Sequence, residues 1–335
     1  MDALSKILDD IHLNKSEYLY LNTYGDWAFR MQQQPAVLAY IVLSGELYLH
    51  LDQDLTLHAG AGDILMLPAG QAHRCNPFAL HEQLIETVDI SAMFDGIKQD
   101  VVYLGTDQQR DANAEPTLPE AENRSQAAGA QTHNLIMVIR CQIDTIMAKP
   151  LLNALPEYLH LHNLLNHRAP EWLQIGLSFL AQETLHVLPG RDKIIDHLIS
   201  ILFIECVRDY ILSIEDSQNW LNALSHPQLS NALTAIHTQP AFAWTVESLA
   251  EQCCMSRSKF ASLFHELVGG TPLAYLQQHR MNLACQLLRE GQRSIKQIAH
   301  QVGYSSDTTF SQSFKKRFDQ SPNQYRKLYN ATTTQ

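Results

Sequence analysis

The feature that most constrains this 335-residue chain is a short pattern that occurs twice in its last hundred residues. Thr245 is a good N-cap for Val246–Gln252, and after Cys254-Met255 a second cap, Ser256, opens Arg257–Glu266. About fifty residues later Ser294, with Gln297 completing an S-x-x-Q box, opens Ile295–Val302. Gly303 supplies a left-handed turn, and Ser305 or Ser306 caps the next helix. Two helices joined by a tight turn, used twice, commit this stretch to a pair of helix-turn-helix units.

Each second helix has a predictable inside and outside. Phe260, Leu263 and Phe264 fall at three- and four-residue steps and must face inward, which leaves Ser258, Ala261, Ser262 and His265 outward. In the second unit Phe310 and Phe314 point in, while Asp307, Thr308, Ser311 and Gln312 point out. Lys315, Lys316 and Arg317 close that helix with positive charge suited to phosphates. Thr271-Pro272 opens a helix through Arg289, about 25 Å long at 1.5 Å per residue. A rod of that size can set two helices into successive major grooves, roughly 34 Å apart.

Charge sharpens this. The whole chain carries −11, a poor figure for a nucleic-acid binder, yet residues 228–328 hold eleven Lys and Arg against six Asp and Glu. That stretch is therefore +5 and the remainder −16. A basic C-terminal domain follows a strongly acidic N-terminal part.

From Thr245 to Arg326 the chain resembles the DNA-binding domain of AraC-type transcription regulators. The resemblance rests on the GYSS-x3-F segment (Gly303 to Phe310), the F-x3-F-x2-SP-x2-YR segment (Phe314 to Arg326) and the PLAYL-x3-RM helix, all in register. It implies promoter DNA as partner, with RNA polymerase beside it and an activating role. By position it points to Arg257, Ser258, Lys259, Ala261 and Ser262 in the first unit. In the second it points to Ser305, Ser306, Asp307, Thr308, Ser311, Gln312, Lys315 and Lys316. Two glycines usual in the family are replaced, by Cys254 in the first turn and by Asp319 after the last aromatic. A non-glycine residue at Cys254 predicts a strained backbone or an altered turn. The small side chains of the first recognition helix cannot make bidentate base contacts, which shifts specificity toward Arg257, thymine methyls and the second unit.

The N-terminal half reads as β structure. Between Tyr18 and Cys75 short runs alternate with period two, as in Leu47-Tyr48-Leu49-His50-Leu51, and glycine-rich turns separate them. Gly62 to His73 fits the second cupin motif, G-x5-P-x-G-x2-H, and resembles the cupin-type effector domains attached to AraC-type regulators. A small β-barrel offers a ligand cavity at its mouth, for which Trp27, Tyr40, Tyr48 and His73 are the candidates, suiting a partly apolar effector.

Catalytic cupins need two histidines and a carboxylate in a first motif, and Leu38–Glu46 contains no histidine. His73 is thus expected as a hydrogen-bonding pocket residue, with no metal and no cofactor. His160 and His162 alternate, so a strand would give them one face, either as solvated groups or as the start of a site with His73. With no G-x-S-x-G elbow, P-loop or dinucleotide fingerprint, the chain is not expected to be an enzyme.

The remaining expectations concern organisation. The fold class is α+β: a cupin-like β-barrel with a helical connector, then an all-α domain of two helix-turn-helix units on a linker helix. The expected domains are an effector domain over residues 1–190, containing a mobile polar loop at 105–133, a connector over 191–227 and the DNA-binding domain over 228–329. Helices are expected over Glu171–Leu188 and Asp192–Ser213. In the latter, Ile195, Leu198, Ile199, Leu202 and Cys206 form one stripe, either packed on its own domain or forming a homodimer interface. Six unpaired cysteines, no secretory leader and no uninterrupted apolar span point to a cytoplasmic protein without membrane contact. The leading function is an effector-responsive regulator. A metal-dependent cupin enzyme fused to a DNA-binding domain and a regulator governed by a protein partner are the alternatives.

Overall fold

The computed structural model describes residues 2–11, 14–51, 55–79, 85–94, 101–105, 133–162, 175–176, 179, 189–214 and 220–332. The polar segment at 106–132 and almost all of the helix expected over Glu171–Leu188 lie outside them. The chain forms two compact units that do not follow its linear order. One comprises residues 13–143 and 155–210, the other residues 1–12, 144–154 and 211–335.

The first unit is built on two sheets. Strands β1 (Asn14–Tyr24), β3 (Ala36–Ser44), β6 (Ile64–Leu67), β9 (Val101–Gly105), β10 (His133–Gln142) and β11 (Leu159–Leu161) form a six-stranded sheet in the order β11-β6-β3-β10-β1-β9. Strands β2 (Ala28–Met31), β4 (Glu46–His50), β5 (Thr56–Gly60), β7 (His73–Asn76) and β8 (Thr87–Asp89) form a five-stranded sheet in the order β5-β4-β7-β2-β8. Pairing is antiparallel except for β1 with β9 and β2 with β8.

One core lies between the sheets, drawing Leu38, Tyr40, Val42, Leu65 and Leu67 from one and Phe29, Leu47, Leu49 and Cys75 from the other. The alternate residues of β3 are buried too, since Val37, Ala39 and Ile41 face a small apolar cavity. Ile199, Leu202 and Phe203 of helix α3 (Arg191–Ser213) close it; α1 and α2 belong to the other unit. This burial on both faces explains why β3 reads as a continuous apolar run rather than as an alternation. The predicted helix over Asp192–Ser213 is present, and its apolar stripe covers this sheet.

The second unit is helical: α1 (Ala3–Ile11), α2 (Thr145–Leu152), α4 (Leu221–Ser225), α5 (Leu229–Thr238), α6 (Val246–Gln252), α7 (Arg257–Val268), α8 (Pro272–Glu290), α9 (Ile295–Gln301), α10 (Asp307–Phe318) and α11 (Pro322–Thr332). It has two apolar centres. One gathers Leu233, Ile236, Leu249, Phe260 and Phe264, and Ala3 of α1 joins it. The other gathers Met281, Leu288, Ile298, Val302, Phe310 and Phe314. Helix α2 docks on α8, where Arg289 pairs with the half-buried Asp144 that caps α2. Trp220 donates its indole N–H to the Pro150 carbonyl, 2.9 Å away within this unit. Each apolar centre underlies one helix-turn-helix unit, and α8 contributes to both.

Candidate nucleic-acid interface

The two units are local structures of the same kind. In α6, Thr245 and Ser248 cap each other, with Thr245 N–H donating to Ser248 Oγ at 2.9 Å and Ser248 N–H to Thr245 Oγ1 at 3.1 Å. Ser294 and Gln297 do the same for α9, at 2.8 and 3.2 Å. The two turns carry matching hydrogen bonds. Met255 N–H donates to the Ala250 carbonyl and Cys254 N–H to that of Glu251, each at 3.0 Å. Tyr304 N–H donates to Ala299 at 2.8 Å and Gly303 N–H to His300 at 3.0 Å. Both are Schellman closures, which require a left-handed residue at the turn.

Gly303 meets that requirement at φ 83°, and Cys254 meets it at φ 51°. Among the described residues only Cys254 and Asp319 have positive φ without being glycine. Asp319 caps the end of α10 at φ 57°. The two departures from the family pattern thus keep the backbone shape and carry its strain, of order 1 kcal/mol each.

The helices that follow place the predicted residues as expected from their spacing. Ser256 accepts the Lys259 N–H to start α7, and Ser306, rather than Ser305, accepts those of Thr308 and Thr309 to start α10. Phe260, Phe264, Phe310 and Phe314 are wholly buried, while Leu263 is half-buried. Ser258, Lys259, Ser262, Ser305, Asp307, Thr308, Gln312, Lys315, Lys316 and Arg317 are exposed. Ala261, Ser306 and Ser311 are half-buried at the edges of their faces. Arg257 is exposed but engaged, its Nε 2.8 Å from Glu247 Oε1.

A residue that spacing did not single out, Arg280, braces the second turn. Its guanidinium donates to the carbonyls of Pro240 at 2.7 Å and Phe242 at 2.8 Å. A methyl group at Gly303 would stand 2.7 Å from Arg280 Nη2 and 2.9 Å from Ala241 Cα, so the glycine is demanded by space as well as by φ. Arg280 sits in the PLAYL-x3-RM segment, and that motif was its signal.

The predicted effector residues do not form one group. Trp27, Tyr40 and His73 are buried in the core between the sheets. Phe29 links the first two, with ring centroids 5.9 Å from Trp27 and 6.0 Å from Tyr40. Tyr48 points to the other side of β4 and lies against His58. His73 is doubly bonded, with Nε2 2.5 Å from Tyr40 Oη and Nδ1 2.7 Å from the Gln71 carbonyl. In the neutral ring that burial favours, Nδ1 donates to the Gln71 carbonyl and Nε2 accepts the Tyr40 hydroxyl. Burial lowers its pKa to about 4, against the partial opposing effect of the Gln71 bond. Neither nitrogen is left for a metal.

His160 and His162 do lie together, with ring centroids 3.6 Å apart, and their partner is Asp63. His160 pKa is lowered by burial and by the neighbouring His162, with Asp63 opposing.

Comparison with known proteins agrees with these two halves. A cupin family model matches residues 2–212 and a helix-turn-helix domain model matches residues 249–328. The transcriptional regulator AlkR of Acinetobacter baylyi is 53% identical over 326 residues, 97% of this chain and 99% of that protein. The chain is an AraC-type transcriptional regulator. The regulator MtrA of Neisseria gonorrhoeae is 26% identical over 98% of both chains. The transcriptional activator RclR of Escherichia coli, named as specific for RCS, is 35% identical over 53% of this chain and 63% of its own length. All three relatives bear the names of regulators rather than enzymes, which sets aside the fused-enzyme alternative. No helix among the described residues is long and apolar enough to cross a membrane.

Proposed function

We propose that this regulator activates transcription from the cytoplasm by binding promoter DNA with α7 and α10, under control of a partly apolar small molecule held by its cupin part. The observation that carries the DNA reading is the pair of matched Schellman turns, each followed by a capped helix whose aromatic face is buried and whose polar face is exposed. Arg257, Lys259, Lys315 and Lys316 serve phosphates, and Ser258, Ala261, Ser262, Ser305, Ser306, Asp307, Thr308, Ser311 and Gln312 face the bases or position the helices on them. RNA polymerase is the second macromolecular partner of an activator. A homodimer would double the reading heads, and because the α3 stripe is occupied by the sheet, that contact must use another surface.

For the effector, the supporting feature is Trp27. Its indole N–H is buried and meets no acceptor among the described residues, and Phe29 stacks between it and Tyr40. A ligand with an apolar body and one acceptor oxygen would satisfy that donor. Such a ligand switches the protein only if it binds the DNA-competent arrangement with different affinity from the incompetent one.

Genome-wide mapping of binding sites in the host, comparing the native chain with Lys315→Ala/Lys316→Ala, tests the first half. Enrichment at a few promoters that the double variant loses supports it; equal occupancy by both chains refutes it. Thermal-shift screening of small molecules tests the second half. A ligand that stabilises the native chain should stabilise Trp27→Phe less, because mass action on the folded state reports affinity.

A further inference from the structure

Three potential ligand atoms of the first unit meet at one point. Asp63 closes the Gly60–Asp63 turn, its N–H donating to the Gly60 carbonyl at 2.9 Å and its Oδ2 accepting the Gly60 N–H at 3.1 Å. Val42 N–H also donates to the Asp63 main-chain carbonyl, so the backbone that carries this carboxylate is fixed on both sides. Opposite it, β11 pairs with β6 in a register that sets Leu161 against Ile64 and His160 against Leu65. Leu159 and Leu161 are buried, which turns His160 and His162 together to the face that carries Asp63.

His160 Nε2 lies 3.2 Å and His162 Nδ1 3.7 Å from Asp63 Oδ2. All three ligand atoms fall within 4.8 Å of one another. A tetrahedral centre with bonds of about 2.0–2.1 Å spaces its ligands by about 3.3 Å, so small side-chain shifts suffice to place an ion among them. Ordinary charge pairing explains one histidine beside Asp63. It does not explain a second imidazole brought to within 3.6 Å of the first, ring to ring, over the same oxygen.

We infer that Asp63, His160 and His162 form a binding site for a divalent transition-metal ion of the zinc class, with at least one coordination position open to water or to a ligand atom of a small molecule. Two imidazoles and one carboxylate suit zinc, cobalt or nickel and disfavour magnesium and calcium, which call for oxygen ligands. The site does not use the histidine of the cupin motif, since both ring nitrogens of His73 are engaged elsewhere. It stands independently of the effector reading above. An ion here would pin β11 to the β6 turn, close to where the chain crosses between units at Ala154–Leu155.

The test is a titration of chelator-treated full-length protein with Co2+, followed by visible absorption. The expected result is saturation at one equivalent, with bands free of thiolate charge transfer. His162→Ala, chosen because His162 is 63% exposed and so dispensable for folding, should weaken binding at least ~10-fold. His162→Gln should do the same, and circular dichroism would show both variants folded. Cys254→Ser, which removes the exposed thiol, should leave the titration unchanged. Absence of saturable binding, undiminished affinity in the folded His162 variants, or loss of binding in Cys254→Ser would each overturn the assignment.

Discussion

The two helix-turn-helix units use one backbone design with unequal materials. The capping boxes of α6 and α9 and the Schellman bonds of the two turns correspond, yet the first turn rests on a cysteine at φ 51° and the second on a glycine hemmed in by Arg280 and Ala241. Their exposed faces differ as well. The first offers serines, Lys259 and an Arg257 already paired with Glu247; the second offers Gln312, Thr308 and Asp307, then three consecutive cations. Shape is repeated and chemistry is not. On the proposed function, that contrast implies a division of labour in which the second unit supplies most of the base discrimination and phosphate attraction.

The largest effect is expected at Gly303→Ala, where a left-handed alanine and its close contacts with Arg280 and Ala241 combine. A loss of at least about 2 kcal/mol in urea unfolding is expected; an unchanged midpoint would show that the turn is slack. Next comes Lys315→Ala/Lys316→Ala, which should flatten the log–log dependence of DNA affinity on salt by about two, at roughly 0.9 per phosphate contact. A slope equal to that of the native chain would move the phosphate contacts elsewhere.

Gln312→Ala should cost about 1–3 kcal/mol of discrimination at a single base position, where Ser262→Ala should cost less, as measured by binding to single-base operator variants. The reverse ranking would invert the division of labour. Cys254→Gly relieves the left-handed strain while loosening the unfolded chain, so a gain within about 1 kcal/mol is expected in the same urea assay. Smallest of all, Glu247→Gln releases the exposed Arg257 and should tighten DNA binding by about two-fold at low salt.

Much of this was legible in the chain. Thr245, Ser256, Thr271, Ser294 and Ser306 all cap helices in the structure, and the phenylalanines lie where three- and four-residue spacing puts them. These are local rules, and local rules survive in a sequence read alone. What was not legible was long-range. The spacing of His160 and His162 gave them one face but could not name Asp63, ninety-seven residues away from His160, as their partner. Residue type alone groups Trp27, Tyr40, Tyr48 and His73, and only strand register separates Tyr48 from the others. The α3 stripe was compatible with two uses until the outer face of the six-stranded sheet was seen to cover it.

Domain organisation shows the same limit. Boundaries at 190 and 227 follow changes in composition, whereas the helical unit also takes in residues 1–12 and 144–154. Ala3, Ile7, Leu8 and Ile11 are buried, and α1 lies against α5. Nothing in nine residues announces a docking site more than two hundred positions downstream.

That placement of α1 bears on how the protein is made. At about 5–20 residues per second, the ribosome delivers α1 more than ten seconds before α5 exists. During that interval residues 13–143 emerge, and α2 is the next part of the helical unit to appear, its cap Asp144 donating its N–H to the Ile11 carbonyl at 3.1 Å. The sheets can therefore mature first, and the helical unit closes only after α1 has met α5. A product that stops before α5 leaves the apolar centre that Ala3 joins incomplete.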